Sequence, residues 1–180
     1  MADAMSDPDL LLIDRATQGD KEAFEALYAR HYDRIYAIAR GVLLDADEAA
    51  DATQEIFAAV MKNLKRFDRR SRFSTWLYRV AVNRSIQYSR RLGFRRHLVP
   101  IDQTPEAVYE DYRESENVDP AIEAAMAQLS ATDRAILSLF YWDDLSINEM
   151  AEALECSPNA AKVRLFRARE RFRAAYEEDS

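Results

Sequence analysis

The 180-residue chain carries 25 Lys and Arg against 32 Asp and Glu, a formal net charge of −7. Three glycines and five prolines are too few for a strand-rich fold and suit an all-α one. Cys156 is the single cysteine, which excludes an intrachain disulfide and fits a reducing, cytoplasmic setting. Two histidines leave no zinc spacing, and the scattered glycines form no phosphate-cradling loop. With no Ser or Cys nucleophile near a histidine, nothing in the chain argues for an enzyme, a cofactor or a metal. The run Leu10 to Ile13 is far too short for a membrane span, so no membrane contact is expected.

The net charge conceals a segregation. Residues 1–61 carry 5 basic and 13 acidic side chains, whereas residues 62–97 carry 12 and 1. Residues 98–125 return to 1 and 8, and residues 126–180 to 7 and 10. A protein that binds DNA unaided is usually basic overall, because phosphate neutralisation supplies most of the non-specific affinity. A basic middle between acidic flanks instead suits a basic protein partner, or weakens binding to free DNA by self-repulsion.

In chain order, Asp7 and Pro8 can open a first helix that Gly19 ends. Asp20 can cap a longer one, on which Phe24, Leu27, Tyr28, His31, Tyr32, Ile35, Ile38, Ala39 and Val42 form an apolar stripe. His31 on that stripe reads as a packed core histidine. A third helix is expected from about Asp47 to Leu64, with Ile56, Phe57, Val60, Met61 and Leu64 buried. Its first half exposes Asp47, Glu48, Asp51, Gln54 and Glu55. That face is either a set of favourable carboxylates at a helix N-terminus or a dock for a basic partner.

Arg69 to His97 holds nine arginines and no acid, with Phe73, Trp76, Tyr78, Tyr88 and Phe94 between them. Arginines with interleaved aromatics can grip a nucleic-acid backbone while unpaired bases stack; they can also be a solvated helix face. After an arginine loop, Ser74 or Thr75 can cap a fourth helix running to about Leu92. Trp76, Arg79, Asn83, Gln87 and Arg90 share one side of it at steps of three and four. Trp76 on that polar side is a candidate for base stacking. From Gly93 the helical period fades, and Pro100, Pro105 and six acids read as a flexible linker.

The last third reads as four short helices. Asp119-Pro120 opens one to about Gln128, and Ala131 or Thr132 opens another to Tyr141. Ser146-Ile-Asn-Glu149 fits a capping box, and Ser157-Pro158 starts the last helix. Ala161, Leu165, Ala168, Phe172 and Ala175 define its packed face; Asn159, Val163, Phe166 and Arg167 lie outward among further basic residues. Two short helices joined by a tight turn, the second basic, match a helix-turn-helix entering a major groove. A basic, solvent-facing helix in a small bundle would share this pattern.

Three motifs in order now resemble the small, two-domain extracytoplasmic-function class of bacterial RNA polymerase sigma factors (sigma-70 family, group IV), over about residues 10–175. Glu48-Ala-Ala-Asp51-Ala-Thr-Gln54-Glu55-Ile-Phe57 is similar to the family's core-polymerase-binding helix. Phe73-Ser-Thr-Trp76-Leu-Tyr-Arg79-Val-Ala-Val-Asn83-Arg84 resembles its −10 recognition and melting helix. Leu145 to Leu154, with Lys162-Val-Arg164-Leu-Phe-Arg167-Ala-Arg169, resembles its −35-binding helix-turn-helix.

The resemblance implies two small helical domains, sigma domain 2 over residues 8–94 and sigma domain 4 over 119–176, joined by the acidic linker 95–118. Asp47, Glu48, Asp51, Gln54 and Glu55 would bind the clamp helices of the polymerase's largest subunit, with the flap region as a further contact. Arg69, Arg70, Arg72 and Phe73 would hold a flipped −10 base, with Trp76, Arg79, Asn83, Arg84 and Gln87 on the opened strand. Ser157, Asn159, Lys162, Val163, Arg164, Phe166, Arg167, Arg169 and Arg171 would meet the −35 element. The linker would thread towards the active-site and RNA-exit channels. The implied partners are core polymerase, promoter DNA and an anti-sigma factor.

Two departures from the family's usual residues stand out. Asn159, Ala160, Ala161 and Val163 replace the common Gly, Thr, Val and Ser, which implies an altered −35 preference because Val163 can touch a thymine methyl but cannot hydrogen-bond a base. Glu155 occupies a turn position that is often glycine, implying strain or a shifted turn. A stand-alone helix-turn-helix regulator is the alternative reading. Such regulators are usually dimers, and no segment reads as a dimerisation helix.

Overall fold

The computed structural model describes residues 7–98, 119–141 and 145–178, and among them every regular element is helical. The first unit contains α1 (Leu10–Thr17), α2 (Lys21–Leu43), α3 (Ala46–Asn63) and α4 (Phe73–Leu98). The second contains α5 (Pro120–Gln128), α6 (Ala131–Tyr141), α7 (Ile147–Ala153) and α8 (Pro158–Glu178). The expected linker residues 99–118 lie outside the described residues.

Short polar side chains set most helix starts. Asp20 accepts from the Ala23 amide at 3.1 Å, Asp45 from Glu48 at 2.8 Å and Asp119 from Ala121 at 2.9 Å. Gly19 ends α1 with φ 96°, a conformation that costs glycine little. Ser146 and Glu149 close the reciprocal capping box expected of α7.

In the first unit α2 packs on α1, α3 and α4. Ile35, Ile38, Ile56, Leu77 and Val82 are fully buried at its centre. Each contributes about 1.5–3 kcal/mol of burial. Met61 departs from the expected stripe: it is 58% exposed, because Val60 and Leu64 already fill the inward positions of that turn. The second unit closes α8 over α5, α6 and α7, with Ala161, Leu165 and Ala168 inward as the spacing predicts.

Helix α4 runs to Leu98, about six residues beyond the expected end. Although the helical period fades from Gly93, that residue has no positive φ and the helix continues through it. Nor does Ser74 or Thr75 cap this helix. It begins at Phe73, and Thr75 is buried inside its first turn.

The two units touch. Helix α2 packs on α6, and α4 on α7. Arg134 of α6 bridges the first of these contacts, donating from Nε to the Val42 carbonyl at 2.7 Å and from Nη1 to the Leu129 carbonyl at 2.8 Å. Burial pulls its guanidinium pKa below the ordinary value.

Candidate polymerase and nucleic-acid interface

The acidic face of α3 is real surface. Asp47, Asp51, Gln54 and Glu55 are exposed and Glu48 is half-buried, while Ala49, Ala52, Thr53 and Ile56 point inward. Part of this face meets α4. Arg91 Nη2 donates to Glu55 Oε2 at 2.6 Å, and the Arg91 guanidinium lies 4.9 Å from the Tyr88 ring centre. Both Arg91 and Glu55 are about half-exposed, so the pair contributes at most about 1 kcal/mol. Burial, then the hydrogen bond to Glu48 and the charges of Glu48, Asp51 and Glu55, push the Tyr88 phenol up to about 12.

The arginine loop between α3 and α4 exposes Arg69, Arg70 and Arg72. Asp68 shapes it by accepting the Arg70 amide at 3.1 Å and pairing with the Arg70 side chain at 3.3 Å. Arg69 sits at φ 60°, an uncommon conformation for a residue with a Cβ, and pairs with Asp14 of α1. Along α4, Asn83, Gln87 and Arg90 are exposed on one side, as their spacing predicts; Arg84 is exposed next to Asn83, and Arg79 is half-buried.

The two aromatic members of the expected −10 set are placed differently. Phe73 is 1% exposed and Trp76 8%. The Trp76 ring lies 5.8 Å from Phe73 and 5.7 Å from Phe67, centre to centre, and Phe73 meets His31 edge-on at 5.5 Å. Both rings are largely buried against one another and against Phe67, rather than standing out as exposed stacking platforms. The helical period put Trp76 on the polar side but could not show that Phe67 folds over that side.

Trp76 and Arg79 border an open cleft of about 830 Å³ between the arginine loop and the α7–α8 turn. Across it Arg79 Nη1 approaches Glu155 Oε1 at 3.7 Å. Glu155 holds the turn at φ 49°, the left-handed conformation for which glycine is the usual choice, so the turn carries the backbone strain that a Cβ brings there. Ser157 caps α8 by accepting the Ala160 amide at 3.2 Å. Asn159, Lys162, Val163, Arg164, Phe166 and Arg167 are exposed along the outer side of α8; Phe166 is 64% exposed and Val163 42%.

Two expected −35 contacts are engaged within their own unit instead. The Arg169 guanidinium lies 4.5 Å from the Phe140 ring centre and 5.3 Å from that of Tyr141. Arg171 Nη1 donates to both carboxylate oxygens of Asp133, at 2.9 and 2.8 Å. Basic residues recur from Lys162 to Arg173 around α8, and the sequence alone could not separate those facing α6 from those facing solvent.

Other polar residues near the loop escaped the sequence reading. Asp9 is 3% exposed, accepts from Arg30, and lies 2.7 Å from His31 Nε2. Burial works to raise its pKa, but the hydrogen bonds and charges of His31 and Arg30 outweigh that and hold the carboxyl below its ordinary value. His31 is thus the packed histidine expected, with an acid partner that its stripe did not announce. Among the described residues no group of three His, Cys, Asp or Glu could hold a metal ion, and no helix is long and apolar enough to cross a membrane.

Comparison with known proteins gives this arrangement a family. Residues 27–95 match Sigma-70 region 2 and residues 120–172 match Sigma-70 region 4. The chain belongs to the sigma-70 family and is a promoter-directing sigma factor of the extracytoplasmic-function class. It is 29% identical over 177 residues to the ECF RNA polymerase sigma factor SigW of Bacillus subtilis, spanning 89% of this chain and 92% of that one. It is 28% identical over 178 residues to the RNA polymerase sigma-H factor of Pseudomonas aeruginosa, spanning 90% of each. Among solved structures it resembles CnrH in complex with the cytosolic domain of CnrY, at a TM-score of 0.68 and 25% identity over 96% of this chain and 99% of that one. The fold is also that of the sigma factor RpoE in complex with the anti-sigma factor NepR from Bartonella quintana, at a TM-score of 0.67 and 21% identity over 87% and 98% of the two chains.

Proposed function

We propose that the chain acts through three surfaces in the cytoplasm and carries no catalytic chemistry of its own. The acidic face of α3 (Asp47, Glu48, Asp51, Gln54 and Glu55) docks on core polymerase, at the clamp helices of its largest subunit. The arginine loop and the outer side of α4 (Arg69, Arg70, Arg72, Arg79, Asn83, Arg84 and Gln87) hold the opened −10 strand. The outer side of α8 (Ser157, Asn159, Lys162, Val163, Arg164, Phe166 and Arg167) lies in the major groove at the −35 element, with the flap region of the polymerase behind this unit. The observation that carries the reading is the exposure of these polar and basic rows on helices whose opposite sides are buried.

The net charge of −7 supports dependence on the polymerase, because an acidic chain repels free DNA. A stand-alone helix-turn-helix regulator would leave the first unit's match to region 2 without a role. An anti-sigma factor is a fitting further partner, since CnrH and the RpoE of Bartonella quintana were each solved in complex with another protein, an anti-sigma factor by name in the second case.

The −35 assignment is tested on α8. Arg167→Ala is expected to relax the preference at one −35 position by about 1–3 kcal/mol, read as initiation rates across a −35 library. A uniform loss across all −35 sequences would make Arg167 a phosphate contact instead. Arg171→Ala serves as the control and should lower the stability of the second unit without changing the −35 preference.

A further inference from the structure

Asp7 lies before α1, yet its carboxylate acts on α4. Its Oδ2 accepts the Phe73 amide at 2.6 Å, a hydrogen bond spanning 66 residues of chain, while Oδ1 accepts the Asp9 amide at 2.9 Å. The Phe73 amide is the first of α4 and has no partner within the helix. Arg72 precedes it, and a guanidinium has only donors to offer. A carboxylate at this end also complements the helix dipole. Asp7 therefore caps α4 from outside the local sequence.

The segment that carries Asp7 is itself anchored. The neighbouring Asp9 is buried against Arg30 and His31, and the His31 ring meets Phe73 edge-on. Farther along, Asp14 pairs with Arg69 near one end of loop residues 68–72, and Asp7 holds the first amide of α4 at the other. Between them Arg69 keeps its left-handed backbone, a conformation that persists only where its surroundings enforce it.

We infer that Asp7 is a positioning residue for −10 recognition: its carboxylate fixes the arginine loop and the first turn of α4 so that Arg70, Arg72 and Arg79 meet the opened strand in one geometry. This rests on the proposal above that the loop and α4 hold that strand. The direction of the effect separates positioning from simple electrostatics. Removing an acid beside a DNA-binding loop would by charge alone strengthen binding, whereas removing a positioning cap weakens discrimination.

The test uses holoenzyme reconstituted from the full chain and core polymerase, with run-off transcription from promoters that differ at single −10 bases. Asp7→Ala should reduce the −10 discrimination about fivefold, with core affinity and −35 preference unchanged. Asp7→Asn should restore most of it, since an amide oxygen also accepts at a helix N-terminus. Discrimination unchanged in Asp7→Ala overturns the inference, as does a parallel loss of −10 preference, −35 preference and core affinity. So does an Asp7→Asn variant as impaired as Asp7→Ala. Arg79→Ala distinguishes the two levels. If it loses discrimination while Asp7→Ala does not, only the role of Asp7 fails; if Arg79→Ala and Arg70→Ala both keep discrimination, the −10 proposal fails and this inference with it.

Discussion

Trp76→Ala is expected to unfold the first unit far more readily rather than to delete one base contact. The ring lies against Phe67 and Phe73 and is 8% exposed, so truncation leaves a cavity among aromatics. Buried Trp-to-Ala changes cost about 3–5 kcal/mol, a large part of the roughly 5–15 kcal/mol that holds a domain folded. For a chain of this length that corresponds to a fall in Tm on the order of 10 °C. Polymerase binding and promoter opening should fall together, and Trp76→Phe should recover much of both. Thermal denaturation followed by circular dichroism is the direct check. A Tm within a degree or two of the parent, with promoter opening lost selectively, would return Trp76 to the strand-contacting set.

The second large effect is expected on the acidic face of α3 in the same unit. Asp51→Lys with Glu55→Lys places two cations where the proposal puts a basic polymerase surface. Like-charge contact across an interface costs several kcal/mol, so affinity for core should fall by at least about 100-fold. Both positions are exposed, and the Arg91–Glu55 pair contributes little, so the fold should persist. Fluorescence titration of labelled protein with core polymerase measures the loss. Affinity within a fewfold of the parent would move the docking surface elsewhere.

How far the sequence could be read depended on whether the cause of each feature was local. Asp20, Asp45, Asp119 and the Ser146–Glu149 box act within four residues of their targets. The buried stripes of α2 and α8 follow from period alone. The features that the sequence concealed depend on long-range contacts. Phe67, outside any helical period, turns Trp76 from a surface residue into a core one. Asp7 caps a helix 66 residues away, which no local pattern can signal. Arg169 and Arg171 look like Arg167 in composition, and only the rings of Phe140 and Tyr141 and the carboxylate of Asp133 set them apart. Arg134 reaches back to the Val42 carbonyl, so the two units meet although the sequence marked only the charged stretch between them.

The central claim is that the basic rows on α4 and α8 read promoter DNA only when α3 holds the chain on core polymerase. Run-off transcription on a promoter library, with core polymerase alone, the chain alone and the two together, tests it most directly. Specific transcripts should appear only with the two together, and the chain alone should hold duplex promoter DNA weakly. Specific initiation failing with both present, or tight sequence-specific duplex binding by the chain alone, would contradict the claim.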